Sequence, residues 1–149
     1  MIRLAVINGP NLNLLGKREK SIYGILSYND LVDMIQNYAK SKSIEVEIFQ
    51  SNSEGEIIDK IHQFGEYVDG FVINAAGLTH TSVAIRDALL GVNKPFIEVH
   101  ISNIFSREEF RHKSYLSDKA IGVITGLGVY SYIYAIDYFT TYLKGEETF

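Results

Sequence analysis

A carboxylate and an imidazole stand two residues apart near the end of a predicted strand. Glu98 and His100 close a β-branched run that begins at Pro95. Because side chains alternate along a strand, both lie on the same side. The carboxylate can fix the imidazole tautomer and raise its basicity, which suits His100 to donating a proton. The backbone N–H groups of Ile101 and Ser102 could hold a carboxylate group. A hydrogen-bonded structural histidine is the alternative.

A tyrosine and an arginine form a second candidate pair in the stretch that precedes the first helix. The phenol of Tyr23 normally ionises near pH 10 and is then a poor base at neutral pH. A guanidinium such as that of Arg18 can lower this pKa by about 1–3 units. The phenolate could then remove a proton beside a carbonyl. The alternative is a surface tyrosine that covers the first helix.

Asparagines and glycines follow the first strand, in the segment Asn8–Gly16. Glycine allows sharp turns and close backbone approach, and the amide of Asn11 can both donate and accept hydrogen bonds. A simple Gly/Asn turn is the alternative. The segment is not a phosphate loop, because the G-x-x-x-x-G-K-[ST] spacing is absent.

Small residues between Asn74 and His80 leave room for a ligand after the third strand. A helix bearing Asp87 follows, and the start of a helix favours anions. The alternative is an ordinary strand-to-helix turn that Thr79 or Thr81 caps.

The composition excludes several other kinds of chemistry. The chain has no cysteine, which rules out disulfides, thiolate nucleophiles and sulfur-ligated metals. Its four histidines lack metal-binding spacing, and no G-x-S-x-G motif is present. A net charge of −4 without a Lys/Arg cluster argues against a nucleic-acid partner. We therefore expect neither a metal nor a cofactor.

Length and hydropathy predict a soluble chain. The 149 residues fit one domain, residues 1–149. The apolar run Ile2–Ile7 is too short for a signal sequence, and no run approaches the roughly 20 residues that span a bilayer. We expect a cytoplasmic protein with no membrane partner.

Short β-branched runs alternate with segments of helical period. The predicted strands are Leu4–Ile7, Ile44–Phe49, Gly70–Ile73, Pro95–Val99 and Ile121–Ile124. Capping patterns predict helices that begin at Ser27, Ser53 and Ser106, a further helix follows His80, and the last covers Val129–Leu143. Their predicted inward residues are Leu31, Met34, Ile35 and Tyr38, then Ile57, Ile58, Ile61 and Phe64, then Val83, Ile85, Ala88 and Leu89, and finally Ile133, Ile136 and Leu143.

Continuously apolar strands predict a parallel sheet that is covered on both faces. The expected fold is therefore α/β, a flavodoxin-like three-layer sandwich with a five-stranded sheet in the order 2-1-3-4-5. Ligands of such sheets bind beyond the carboxyl ends of the strands. The candidates above lie there, as does Arg111 after the fourth strand. Loops are polar in any case, so position alone does not establish function.

Together these segments resemble the type II 3-dehydroquinate dehydratases over nearly the whole chain. The matching motifs are Asn8-Gly9-Pro10-Asn11-Leu12, Arg18-Glu19, Tyr23-Gly24, Gln50 to Gly55, Asn74 to Asp87, Glu98 to Asn103, Arg107 to Arg111, Ser114-Tyr115 and Gly126-Leu127-Gly128. Each motif is weakly specific alone, whereas their order and spacing are very specific.

The resemblance implies a lyase of the shikimate or quinate pathway that eliminates water from 3-dehydroquinate by an anti route. In the family, the counterpart of Tyr23 removes a proton beside the ketone, and that of Arg18 assists its ionisation. The counterpart of Asn11 helps to hold a water that stabilises the enolate. The counterpart of His100, oriented by that of Glu98, protonates the departing hydroxyl.

The resemblance also implies how the substrate is held and how the protein assembles. The counterparts of Asn74, Ile101 and Ser102 receive the carboxylate, and those of His80, Arg111 and Asp87 contact the ring hydroxyls. The aspartate acts across a subunit contact, within trimers that build a dodecamer. One departure is Lys20, where many members of the family have proline. This difference affects the stiffness of the loop more than the roles assigned to Tyr23 and Arg18.

Other functions remain to be weighed against this one. A Schiff-base dehydratase needs a lysine buried at the site, but Lys94 and Lys119 precede strands, at the wrong edge of the sheet. Lys17 and Lys20 lie on the loop after the first strand, where position alone does not exclude them. A receiver domain would need acidic residues where Asn8 and Asn74 stand, and a flavin-binding module would be yellow. A related lyase acting on another cyclic hydroxy-keto acid would use the same residues.

Overall fold

The computed structural model of the chain describes residues 1–17 and 26–145. Within these ranges, five strands alternate with four α-helices. The strands are β1 (Arg3–Asn8), β2 (Glu45–Gln50), β3 (Gly70–Asn74), β4 (Phe96–His100) and β5 (Gly122–Thr125). The helices are α1 (Tyr28–Ser41), α2 (Glu54–Gly65), α3 (Val83–Val92) and α4 (Tyr130–Tyr142). Short 3-10 turns cover Leu12–Leu14, Ala76–His80, Ile104–Ser106 and Glu109–Arg111.

All five strands are parallel and follow the order β2-β1-β3-β4-β5, which confirms the predicted fold class and topology. The register aligns the last residues of the three adjacent strands, since Asn8 pairs with both Gln50 and Asn74. His100 ends β4 opposite Thr125 of β5. Polar side chains therefore meet at the carboxyl edge of the sheet.

Two apolar clusters cover the two faces of the sheet, as the apolar runs of the central strands β1 and β3 require. On one face Leu4, Val6, Val72, Ile97 and Val99 pack under α1 and α4. On the other face Ala5, Ile7, Phe71 and Ile73 pack under α2 and α3. The result is a three-layer sandwich.

Serine side chains cap three of the helices. Ser27 and Asp30 form the complete reciprocal capping box that the sequence predicted. Ser53 accepts from the N–H of Glu56, but the carboxylate of Glu56 binds the hydroxyl of Ser51 instead of closing a box. Helix α3 is capped by Ser82, not by the two threonines considered from the sequence.

The structure corrects two of the predicted apolar faces. Val83 is 51% exposed, because it lies about 200° around α3 from the buried Ile85. In α4 Ile136 is buried, whereas Ile133 is only half-buried. The buried stripe of α4 includes Tyr132 and Phe139, which the periodicity of the aliphatic residues did not reveal.

A helix beginning at Ser106 does not form. The segment makes two separate 3-10 turns, Ile104–Ser106 and Glu109–Arg111. Asn103 takes the capping position of the first turn by accepting from the N–H of Phe105, and the hydroxyl of Ser106 donates to the carbonyl of Asn103. A local side-chain bond thus replaces the predicted cap. None of the helices in the described ranges has the length and hydropathy to cross a bilayer.

Candidate active site

The segments that follow β1, β3 and β4 enclose a cleft at the carboxyl edge of the sheet. Most of the predicted site residues line it, namely Asn11, Asn74, His80, His100, Ile101, Ser102 and Arg111. They come from three separate stretches of the chain, and the parallel sheet brings these together because all its strands end at one edge. The cleft therefore lies where ligands of parallel sheets are expected, beyond the carboxyl ends of the strands.

Glu98 and His100 form a buried acid–imidazole pair at the wall of this cleft. Oε2 of Glu98 lies 2.5 Å from Nε2 of His100, as strand alternation predicted. Glu98 is 0% exposed and His100 is 4% exposed, and only His100 lines the cleft. Because the carboxylate holds Nε2, the opposite ring nitrogen, Nδ1, is the one available for proton transfer.

Two hydroxyls complete the surroundings of Glu98. Its Oε1 accepts hydrogen bonds from Ser114, at 3.0 Å, and Ser117, at 2.6 Å. Burial alone would raise the pKa of Glu98, but the bonds from His100, Ser117 and Ser114 outweigh burial and lower this pKa below its ordinary value. The buried carboxyl group is therefore an anion at neutral pH.

His80 faces His100 across the cleft. The two rings are stacked, with centroids 6.3 Å apart and planes 18° apart. Nδ1 of His80 donates to the carbonyl of Lys113 at 2.7 Å, which leaves Nε2 for a ligand. Burial lowers the pKa of His80, and the nearby His100 and Arg111 act in the same direction against the bond to Lys113. His80 is thus neutral at pH 7.

A buried hydrogen-bond chain supports the floor of the cleft. Asn74 donates from Nδ2 to the phenol of Tyr132, which donates to Oδ1 of Asn8. Asn8 in turn donates to the phenol of Tyr28 at 3.3 Å. Burial raises the pKa of Tyr132, so its phenol stays protonated and acts as a connector.

The loop after β1 is held in a conformation that only certain residues tolerate. Asn11 has a φ of 73°, in the left-handed region that asparagine adopts more readily than most residues. Its N–H donates to Oδ1 of Asn52 at 2.9 Å, and Gln50 donates to the carbonyl of Gly9 at 3.1 Å. A Cβ on Gly9 would lie 2.4 Å from the carbonyl oxygen of Ala75, so glycine is required there.

Two arginines add positive charge to the cleft. Arg111 was predicted, and its Nε donates to Glu108 at 2.8 Å. Arg107 also lines the cleft, and its Nη1 donates to the hydroxyl of Ser102 at 3.4 Å. Arg107 was not among the predicted site residues, although its place four positions before Arg111 in the same loop was the signal that pointed to it. These charges suit a ligand that carries a carboxylate.

The remaining predicted residues lie elsewhere. Asp87 is exposed on α3 and does not line the cleft of its own chain. Arg18 and Tyr23 fall outside the described residues. Among residues 1–17 and 26–145, no three metal-ligating side chains come together.

A family model described as "Dehydroquinase class II" matches residues 2–140. The chain belongs to the class II dehydroquinase family. It is 54% identical over 147 residues to a 3-dehydroquinate dehydratase of Prochlorococcus marinus (strain MIT 9215), which covers 99% of this chain and 100% of the relative. It is 54% identical over 145 residues to a catabolic 3-dehydroquinase of Verticillium alfalfae, covering 97% of both chains.

The class II dehydroquinase fold agrees with that of a solved structure. The type II dehydroquinase from Butyrivibrio crossotus superposes with a TM-score of 0.91 at 55% identity, over 93% of this chain and 97% of the other. The family resemblance and the enzyme class drawn from the motifs are therefore confirmed, and the receiver and flavin-module alternatives are wrong.

Proposed function

We propose that the cleft binds 3-dehydroquinate and eliminates water from it, giving 3-dehydroshikimate through an enolate intermediate. The chain is a hydro-lyase, a 3-dehydroquinate dehydratase. The observation that carries the mechanism is the buried Glu98–His100 pair, which opens onto the cleft through His100 alone. An elimination of this kind needs an acid for the departing hydroxyl, and this pair provides one.

The first step is removal of a proton from the carbon beside the ketone. We assign it to Tyr23, with Arg18 favouring the phenolate, although both lie outside the described residues. The electrons of the broken C–H bond move into the ketone and form the enolate. Asn11, which lines the cleft, holds a water that donates to the enolate oxygen.

The second step breaks the C–O bond. As the enolate collapses to an enone, the hydroxyl departs on the face opposite the lost proton. His100, protonated and paired with Glu98, donates its proton to this hydroxyl, which leaves as water. The proton taken by the phenolate returns through solvent to the imidazole, so the enzyme is regenerated without a cofactor.

The other cleft residues hold the substrate. Asn74, Ile101 and Ser102 receive the carboxylate, and Arg107 adds positive charge beside Ser102. His80, in its neutral form, and the charged Arg111 contact the ring hydroxyls. Asp87 is exposed on α3, which suits a contact with the cleft of a neighbouring subunit.

A Schiff-base route is disfavoured by the place of the lysines. In the described part of the chain no lysine lines the cleft, and Lys94 and Lys119 precede β4 and β5 at the opposite edge of the sheet. Borohydride should therefore fail to trap the substrate on the protein.

The decisive test is an assay of the pure protein on 3-dehydroquinate with EDTA present. We expect a rise in the ultraviolet absorbance of the enone, unaffected by the chelator. Tyr23→Phe should abolish the turnover while the circular dichroism spectrum is retained. Turnover of a different cyclic hydroxy-keto acid but not of this one would favour the related-lyase alternative. Substantial activity in Tyr23→Phe would overturn the assignment of the base.

We further propose that residues 1–149 form a single catalytic domain and that the protein works in the cytoplasm. In this proposal its subunits form trimers, which assemble into a dodecamer. The absence of cysteine suits a reducing compartment. Exposed apolar side chains on β5, the following loop and α4, including Val123, Leu127, Tyr130 and Tyr134, supply surface for subunit contacts. Sedimentation velocity measures the assembly, and a monomer would contradict this proposal. The relatives carry both general and catabolic names, so the pathway needs a genetic test.

A further inference from the structure

The segment Lys113–Asp118 contacts His80 directly and His100 through its partner Glu98, on the side away from the cleft. The carbonyl of Lys113 accepts from Nδ1 of His80. The hydroxyls of Ser114 and Ser117 donate to Oε1 of Glu98, whose other oxygen holds His100. None of residues 113–118 lines the cleft itself. One loop thus supports two separate site residues without being placed to touch the substrate.

We propose that Ser117 is a positioning residue for the proton donor His100, and that the 113–118 segment sets the hydrogen arrangement on both cleft histidines. This inference rests on the proposed dehydration, in which His100 donates its proton to the leaving hydroxyl.

The hydrogen-bonding capacity of each group fixes the arrangement. A carboxylate oxygen that faces two hydroxyl donors accepts both bonds, which favours the ionised form of Glu98. The ionised carboxylate then binds the Nε2–H of His100 and leaves Nδ1 towards the cleft. A backbone carbonyl can only accept, so His80 carries its hydrogen on Nδ1 and presents Nε2. Opposite nitrogens of the two rings are therefore presented to the ligand.

The segment is itself anchored to α3 and to the turn before it. Nη1 of Arg86 donates to the carbonyl of Tyr115 at 2.8 Å, and the guanidinium binds both carboxylate oxygens of Asp118 at 2.5 and 3.0 Å. The N–H of Tyr115 donates to the carbonyl of Thr79 at 3.0 Å. These contacts hold the serine hydroxyls at a fixed distance from Glu98.

Ser117 is a better probe of this support than Ser114. The hydroxyl of Ser114 also accepts from the N–H groups of Leu116 and Ser117, so its removal would disturb the turn. The hydroxyl of Ser117 donates to Glu98 and, among the described residues, makes no other side-chain hydrogen bond. Ser117→Ala therefore removes one donor and leaves the backbone pattern in place.

The sign of the pH effect follows from the charge of the pair. Each proton lost makes the Glu98–His100 pair more negative, and a hydroxyl donor stabilises the more negative state. Removing the donor should raise both apparent pKa values of the pair. In the described part of the cleft the other ionisable groups are His80 from the turn after β3 and Arg107 and Arg111 from the loop after β4. Their effects cancel when the variant is compared with the parent protein.

The experiment compares Ser117→Ala and Ser117→Cys with Ser41→Ala as the matched control. Ser41 also loses one hydroxyl bond, to the carbonyl of Tyr38, on the distant end of α1. We expect kcat of Ser117→Ala to fall about tenfold, the scale of one hydrogen bond to a charged group, with KM within twofold. The weaker thiol donor should give an intermediate kcat, and the control should match the parent.

A second readout does not depend on turnover. Proton NMR titration of the ring hydrogens should show His100 losing its proton at a pH about half a unit to one unit higher in Ser117→Ala. An unchanged titration and an unchanged kcat in a folded Ser117→Ala would overturn the proposal, as would a rise in KM at constant kcat. If the parent protein does not turn over 3-dehydroquinate, the proposed function fails, while the NMR titration still decides whether Ser117 acts on His100.

Discussion

The phenol of Tyr132 joins Asn74 to Asn8, accepting a 2.9 Å bond from the first and donating a 2.6 Å bond to the second. Tyr132 comes from α4 and is completely buried under the ends of β1 and β3. Oδ1 of Asn74 is already bound by the N–H of Ala76 at 3.1 Å. The second amide hydrogen of Asn74 is therefore the one left for a ligand in the cleft.

Tyr132→Phe should weaken both the fold and substrate binding. The change leaves Oδ1 of Asn8 buried without its donor, which costs about 1–3 kcal/mol of unfolding free energy. Asn74 loses the bond that orients its amide, so KM should rise severalfold while kcat changes less. Urea unfolding followed by circular dichroism and steady-state kinetics measure the two effects. Tyr138→Phe, on an exposed ring of the same helix, is the control and should change neither. An unaltered KM in Tyr132→Phe would refute the role of the bridge.

Glu98→Gln should change the dependence of stability on pH. The folded-state pKa of Glu98 is lowered, because its hydrogen bonds outweigh the effect of burial. Its ionisation therefore stabilises the fold above the unfolded pKa of about 4.3, and this contribution is lost as pH falls through the lower folded value. The difference in unfolding free energy between the parent protein and Glu98→Gln should thus be largest near neutrality and shrink below about pH 4.

The same substitution tests catalysis. Without the carboxylate, His100 loses the charge that stabilises its protonated form, and we expect kcat to fall about 100-fold. The exposed Glu66→Gln serves as control for both measurements. A pH-independent difference in stability between Glu98→Gln and the parent would contradict the assigned ionisation state.

Much of the fold and part of the site follow from local patterns. Runs of β-branched residues predicted the strands. Because side chains alternate between the two faces of a strand, the spacing of two also predicted that Glu98 and His100 lie together. The rule on strand ends then located Asn74 and Ser102 at the cleft. In each case the information lies within a few residues or in a general property of parallel sheets.

The supporting contacts could not be predicted in this way. Ser117 lies 19 positions after Glu98, and Tyr132 lies 124 positions after Asn8. A serine in a loop, or a tyrosine in an amphipathic helix, carries no local sequence signal that identifies a distant partner. The geometry of the packed chain decides which hydroxyl reaches a carboxylate, so these contacts appear only in three dimensions.

His80→Asn should separate binding from positioning. The amide of asparagine can still donate to the carbonyl of Lys113, but it cannot present the Nε2 that faces the cleft. We expect a rise in KM of about tenfold with a smaller change in kcat, since the proposed role of the lost group is to contact the ring hydroxyls of the substrate. His62→Asn, on the exposed face of α2, is the control. A fall in kcat at constant KM would contradict a binding role.

The same variant should flatten one part of the stability profile. Burial lowers the folded-state pKa of His80, so the unfolded chain binds the proton more readily. In the window between the folded value and the unfolded value of about 6.5, stability therefore rises with pH. His80→Asn should lose this rise, and urea unfolding at a series of pH values measures it. Persistence of the full rise in His80→Asn would show that another group causes it.

Arg86→Lys should loosen the 113–118 segment while keeping the charge of α3. The guanidinium binds both oxygens of Asp118 and the carbonyl of Tyr115, and a single ammonium cannot reproduce this fork. We expect faster amide hydrogen exchange in residues 113–118 and a severalfold lower kcat, because the serine hydroxyls behind Glu98 lose their fixed position. Arg3→Lys, which alters an ion pair with Glu45 at the other edge of the sheet, should leave both unchanged. Unchanged exchange in the 113–118 segment of folded Arg86→Lys would show that the anchor lies elsewhere.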